Sequence, residues 1–190
     1  MWPWEHAAVG YLLLSLGSRA SGRSPPSTAV ALALLLGTQL PDLVDKPLSW
    51  EFDLFPSGYA VGHSVFVAVP LGLLVLALAR RTDRSSVGIA LVVGYWSHLV
   101  ADVFAPLRGG GGPMVSRMLW PVVVASPYQR DFGLGRGLVY LGRFLADLPS
   151  MDVTTVLVLY LILPLATLVL WVLDGSPGLS AVASAVRGVR

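Results

Sequence analysis

The run VGIALVVGYWSHLVADVF, from Val87 to Phe104, decides how this chain is read. It approaches the ~20 mainly apolar residues that cross a bilayer as one helix. Yet it closes on His98 and Asp102, four residues apart and therefore on one helix face. Ionisable groups in such a segment are expensive to keep and mark functional sites by default.

Four more apolar stretches flank it: Ala7 to Leu16, Ser27 to Leu40, Val61 to Ala79, and Val153 to Leu173. The first two need their flanks to span. The 190 residues are 55% hydrophobic and only 13% charged, against about 25% charged in a soluble domain. The reading is a single all-α integral membrane domain over 1–190, a polytopic bundle of about five hydrophobic helices. Trp2 and Trp4 suit interfacial anchors; a signal peptide would open with a basic region, and no Lys or Arg precedes Arg19. Between Leu134 and Leu148, leucines recur at helical spacing among Arg136, Arg143 and Asp147, which predicts a helix lying on the membrane surface or capping the bundle. Leu119 to Ala125 reads as a re-entrant or interfacial piece. A net charge of +2 gives no argument for nucleic acid. The absence of cysteine excludes thiolate ligands and Cys nucleophiles, so any metal must rest on His and carboxylate. The glycines Gly109 to Gly112 lack the Lys-Ser/Thr of a phosphate-cradling loop.

Threading the segments alternately puts Arg19, Arg23, Arg80, Arg81, Arg84, Arg187 and Arg190 on one side. The short opposite loop from Pro41 to Tyr59 has Lys46 against Asp42, Asp45, Glu51 and Asp53. The positive-inside rule then places the N-terminus outside and the C-terminus in the cytoplasm. The same threading delivers His6, Asp42, Asp45, His63, His98 and Asp102 to the outer face. All but Asp45 have a plainer reading: His6 as an interfacial residue, His63 as a helix cap, His98 in an aromatic belt, Asp42 as a helix end, Asp102 as a partner of Arg108. Together they read as a metal site, with His6, Asp42, His63, His98 and Asp102 as ligands. Asp45 is the candidate general base or second-metal ligand. Ser64 is a candidate support for a ligand, and Arg108 and Arg117 are candidates for substrate phosphate. Ser64 and Ser97 each adjoin a histidine, but neighbours on a helix do not face each other, which weighs against Ser-His proteolysis.

Trp4-Glu5-His6, Pro41-Asp42-Leu43-Val44-Asp45, Gly62-His63-Ser64, Gly94 to Asp102 and Leu119-Trp120-Pro121 resemble the YdjM-like family over roughly residues 1–125. The resemblance implies an inner-membrane, metal-dependent hydrolase, remotely similar to zinc-dependent phospholipase C and P1-type nucleases. Two departures stand out. Many members carry a His-Arg pair where this chain has Pro56 to Val61, and their second aspartate follows the first by two residues, here by three. No histidine follows His98, which favours one or two ions over three. The expectation is a divalent ion, zinc first, and hydrolysis of a lipid phosphodiester or ester at the outer interface of the plasma (inner) membrane. The alternative is a transporter or assembly protein using the same cluster.

Overall fold

The computed structural model describes residues 1–179; Arg187 and Arg190, placed above on the cytoplasmic side, lie outside the described residues. Among those residues the protein is all-α, with six helices and no strand. Helix α1 (Pro3–Ala20) starts on a proline, whose missing N–H costs nothing there, and Glu5 reaches back to accept from the Trp2 backbone N–H at 2.7 Å. Helix α2 (Thr28–Trp50) is capped by Ser27. Helix α3 (Val65–Arg81) is capped by Ser64, whose hydroxyl accepts from the Phe66 N–H. Helix α4 (Ser85–Phe104) continues into a 3-10 stretch, Ala105–Gly109. The amphipathic helix expected near 134–148 is α5 (Arg136–Asp147). The last, α6, runs from a turn at Val153–Thr155 through a π-helical stretch, Val156–Leu161, into Ile162–Leu173.

Two boundaries differ from the sequence reading. Helix α2 does not stop at Leu40: it carries Pro41 and Pro47 inside it and ends at Trp50. Each proline removes one backbone hydrogen bond, and the Asp42–Lys46 pair, one turn apart, ties the last turns together. Residues 61–64 form a turn before α3, not its first turn, so His63 sits in a loop. The segment Leu119 to Ala125 is non-helical.

Two helices are long and apolar enough to cross a membrane, Thr28–Trp50 and Ser85–Gly109. They form the central pair, with α1 and α3 also packed on α4 and α6 on α1. The pair meets through glycines. A Cβ on Gly94 would lie 2.9 Å from the Thr38 nitrogen, and one on Gly37 would lie 3.1 Å from the Tyr95 nitrogen. Close backbone approach through small residues is how membrane helices gain packing without a hydrophobic drive between them.

The polarity of the bundle is inverted. Leucines such as Leu13, Leu32, Leu36, Leu73, Leu74 and Leu165 face outward, while Glu5, His6, Thr38, Asp45, His63 and His98 are buried. Soluble proteins rarely show a continuous apolar exterior. The two ends of the bundle are closed differently. At one end Asp174, just past α6, accepts from Tyr11 Oη at 2.9 Å and Ser15 Oγ at 2.5 Å and pairs with Arg19. At the other end α5 lies across the opening, with Trp2 edge-on to Phe144 and Trp50 edge-on to Tyr140.

Candidate metal centre

The end covered by α5 holds the polar cluster. Helix α2 brings Asp42 and Asp45, three residues apart on one face because the helix survives Pro41. Helix α4 brings His98 and Asp102. The turn before α3 brings His63, and the first turns of α1 bring His6. The structure thus gathers all three histidines at one end, as the alternating threading required.

Two imidazoles are oriented from behind. His98 Nδ1 donates to the Thr38 carbonyl at 2.7 Å. His63 Nδ1 bonds Asp45 Oδ2 at 2.8 Å. Asp45 also accepts from the backbone N–H groups of Ala60, Gly62 and His63 at 2.7–3.0 Å. This buried carboxylate therefore fixes both the imidazole and the loop that carries it. Tyr95 Oη adds a 2.5 Å bond to the Gly62 carbonyl. With both Nδ1 atoms engaged, the two Nε2 atoms face each other 3.1 Å apart. Two lone pairs in that position repel unless a proton or a cation lies between them.

Asp42 and Asp102 complete the group. One atom each from Asp42, His63, His98 and Asp102 lies within 4.8 Å of the others, and all four residues are buried. From His63 Nε2 the carboxylate oxygens lie 3.6 and 3.5 Å away; from His98 Nε2 both are 3.7 Å away. A tetrahedral zinc ion with bonds of about 2.0–2.1 Å sets its ligand atoms about 3.3 Å apart. Five of the six donor pairs, at 3.1–3.7 Å, lie around that value, and all four atoms are within 4.8 Å of one another, so the donor set suits such an ion in chemistry and comes close to it in spacing. The backing of each imidazole by a carboxylate or carbonyl is the outer-shell pattern of metal-binding histidines.

His6 lies beyond this tetrad, stacked on His98 with ring centres 3.7 Å apart. It is buried, and neither ring nitrogen has a hydrogen-bond partner among the described residues. Its Nε2 is 3.3 Å from Asp102 Oδ1, the oxygen that also faces the Met1 amino group at 3.1 Å. For His63, burial alone would lower the pKa, but Asp102, Asp45 and Asp42 overcome it and hold the value above that of a free histidine.

A cavity of about 260 Å³ opens on the carboxylate side, lined by Asp42, Asp102, Lys46, Tyr59, Tyr128 and Tyr140 among others. A larger one of about 540 Å³ adjoins it along Trp2, Trp4, Arg108, Leu141 and Tyr160, sharing Lys46, Trp50 and Tyr140. Lys46 pairs with Asp42 and looks into both. The arginines are placed less directly. Arg108 is bonded to Glu5 at 2.5 Å in the wall of the larger cavity. Arg117 donates to the Asp102 carbonyl and lies over the Tyr59 ring, outside the smaller cavity's lining. Ser64 donates to the Trp120 carbonyl, so it anchors the loop after α4 to the start of α3.

Sequence reasoning missed Lys46 as a site residue, although its spacing from Asp42 was a usable signal. Tyr128 and Tyr140 carried no sequence signal at all, since only the fold of the long connection and α5 brings them here. Comparison with known proteins adds one match: the family model described as YdjM inner membrane protein fits residues 1–176. No curated protein and no solved structure matches the chain.

Proposed function

The chain belongs to the YdjM inner membrane protein family, and from that premise we propose that it is a membrane-embedded, metal-dependent hydrolase acting on a lipid phosphodiester or ester at the outer interface. One observation carries the reading: four buried donor atoms converge at spacings suited to one divalent ion, with both imidazoles oriented from behind. Five crossings are part of the proposal. Helices α1 and α3, with 18 and 17 residues, reach about 26 Å at 1.5 Å per residue, close to the ~30 Å hydrocarbon core. The arginines at the far end of α1 and α3 support an outward-facing metal centre under the positive-inside rule.

Asp42, His63, His98 and Asp102 would hold the ion. His6, on the far oxygen of Asp102, would serve the same ion or a second one sharing that carboxylate. A divalent ion here supplies Lewis acidity and brings the pKa of water toward about 7. Asp45 acts as a positioning residue, because its oxygens are already occupied by His63 and three backbone N–H groups. Lys46 offers its ammonium to a substrate phosphate in the smaller cavity. The aromatic walls of the larger cavity suit the apolar part of an amphiphile, and Arg108 stands at its rim.

The test is metal content of the purified protein by mass spectrometry, alongside hydrolysis of a chromogenic phosphodiester and of phospholipid vesicles. Bound zinc or manganese near one ion per chain, lost in His63→Ala and His98→Ala together with hydrolysis, is the expected result. Unchanged metal stoichiometry in both variants would refute the site.

A further inference from the structure

A second polar pocket lies on the other side of Trp50 and Tyr128 from the metal centre. It has a volume of about 150 Å³, and Ser49, Glu51, Asp53, Arg130, Asp131 and Arg136 supply its polar lining. That is room for several waters or one small polar group.

Arg136 makes the pocket unusual. It is the first residue of α5 and only 4% exposed. Its guanidinium lies 3.9 Å over the Tyr128 ring and donates to the Arg130 carbonyl at 2.6 Å. No carboxylate pairs with it among the described residues, and its Nε has no hydrogen-bond partner there. A buried cation without a counter-charge is strongly unfavourable. A guanidinium cannot relieve that by losing its proton. Its place at a helix N-terminus adds to the penalty, since the helix dipole is positive there. Ser49 Oγ, at 6% exposure, is a second unpartnered buried group on the same pocket. Nη1 and Nη2 of Arg136 already donate to Tyr140 Oη at 3.5 Å and to the Arg130 carbonyl, which leaves its Nε and Ser49 Oγ as the two buried donors beside the pocket still without an acceptor.

The rim has the opposite character. Glu51, Asp53 and Asp131 are exposed there beside a single exposed cation, Arg130, so the rim is net acidic, and none of the three acids is in an ion pair with Lys or Arg among the described residues. A bare phosphate would meet their repulsion on entering. A ligand with a phosphate at one end and an ammonium at the other would meet favourable charge at both.

We propose that this pocket binds an ethanolamine-phosphate group, with the phosphate on Arg136 and Ser49 and the ammonium toward Glu51, Asp53 and Asp131. The group could arrive on a phospholipid or as a free soluble ester. The lipid source rests on the membrane placement proposed above; the phosphate-plus-ammonium chemistry does not, and no metal takes part.

The experiment uses the purified full chain in a non-ionic detergent, treated with chelator so that failure of the hydrolase reading leaves it untouched. Titration calorimetry compares glycerophosphoethanolamine, glycerol phosphate, inorganic phosphate and ethanolamine. Glycerophosphoethanolamine is expected to bind at least tenfold tighter than any of the other three. Arg136→Lys, which keeps the charge but loses the fork, should weaken it at least tenfold, and Ser49→Ala several-fold. Asp53→Asn should narrow the preference over glycerol phosphate. Asp53 adopts a positive φ of 49°, which asparagine tolerates, so this variant keeps the fold. Nanodiscs of phosphatidylethanolamine against phosphatidylglycerol then separate the two sources: competition with the soluble ester only in the former assigns the lipid, and none in either assigns the free ester. Equal binding of inorganic phosphate and glycerophosphoethanolamine would overturn the ammonium half. Unchanged affinity in both Arg136→Lys and Ser49→Ala, or no binding of any probe, would overturn the whole proposal.

Discussion

Replacing Asp45 by asparagine separates two roles that a buried carboxylate near a metal can have. Oδ2 accepts from the Ala60 and His63 N–H groups and bonds His63 Nδ1, whereas Oδ1 accepts only from Gly62. An asparagine would keep its oxygen at the three-bond position and turn its NH2 toward the Gly62 N–H. Two buried donor groups, the Gly62 N–H and the new NH2, then face each other without an acceptor, at about 1–3 kcal/mol each, and the charge behind His63 disappears. Loss of such an outer-shell partner typically weakens metal binding 10- to 100-fold, or about 1.4–2.7 kcal/mol. If Asp45 positions His63, Asp45→Asn will show that loss in chelator competition, and hydrolysis will recover most of its kcat at saturating metal. A general base would behave in the reverse way, with metal affinity intact and kcat down by about 10²–10⁴ at every metal concentration. That second pattern would refute the positioning argument and restore the base assigned from sequence.

Three further outcomes follow from the geometry. Lys46→Met should keep metal stoichiometry while raising KM for a phosphodiester about tenfold, the effect of losing one charge-assisted contact of about 1.4 kcal/mol; unchanged KM would remove Lys46 from the substrate site. Gly94→Ala forces a Cβ against the α2 backbone and should cost about 1–3 kcal/mol, read as a lower melting temperature in detergent, with an unchanged melt arguing against the tight α2–α4 contact. At Asp174, burial favours the neutral acid, but the bonds from Ser15, Arg19 and Tyr11 prevail and hold the pKa below its usual value. The stabilisation it gives is thus present above about pH 4, the unfolded value, and fades as pH falls through the lower folded one; Asp174→Asn should flatten that acid limb in a melting series, and an identical limb in the variant would sink the assignment.

The sequence made the site legible where spacing and threading did the placing. His98 and Asp102 share a face by their separation alone, and alternation of the apolar runs brought His6 and His63 to the same end. The extent of α2 was not legible, because Pro41 and Pro47 are helix breakers on local grounds, and the contacts that hold the last turns, such as the Asp42–Lys46 pair, the bonds from Asp45 to the loop and the packing of Trp50 on Tyr140, exist only in the fold. Asp45 looked like a base because a sequence shows a carboxylate near histidines but not which of its oxygens are already taken. The pocket around Arg136 was hidden for a related reason. An arginine on an amphipathic helix reads as a solvated charge, and only the folded connection over residues 127–136 reveals that it is buried.

Trp50 stands at the corner of three chambers: the one above the carboxylates, the aromatic groove beside it, and the pocket of Arg136. Its indole N–H donates to the Tyr128 hydroxyl at 3.3 Å, which the Gly58 N–H also holds at 3.0 Å, so Trp50 is the one wall common to all three, with Tyr140 and Tyr128 completing the partitions. Swinging that indole aside would join the compartments, and a guest in one would then be sensed in the others. With six tryptophans in the chain, the part of the emission that Trp50→Phe removes is the gauge of traffic between them.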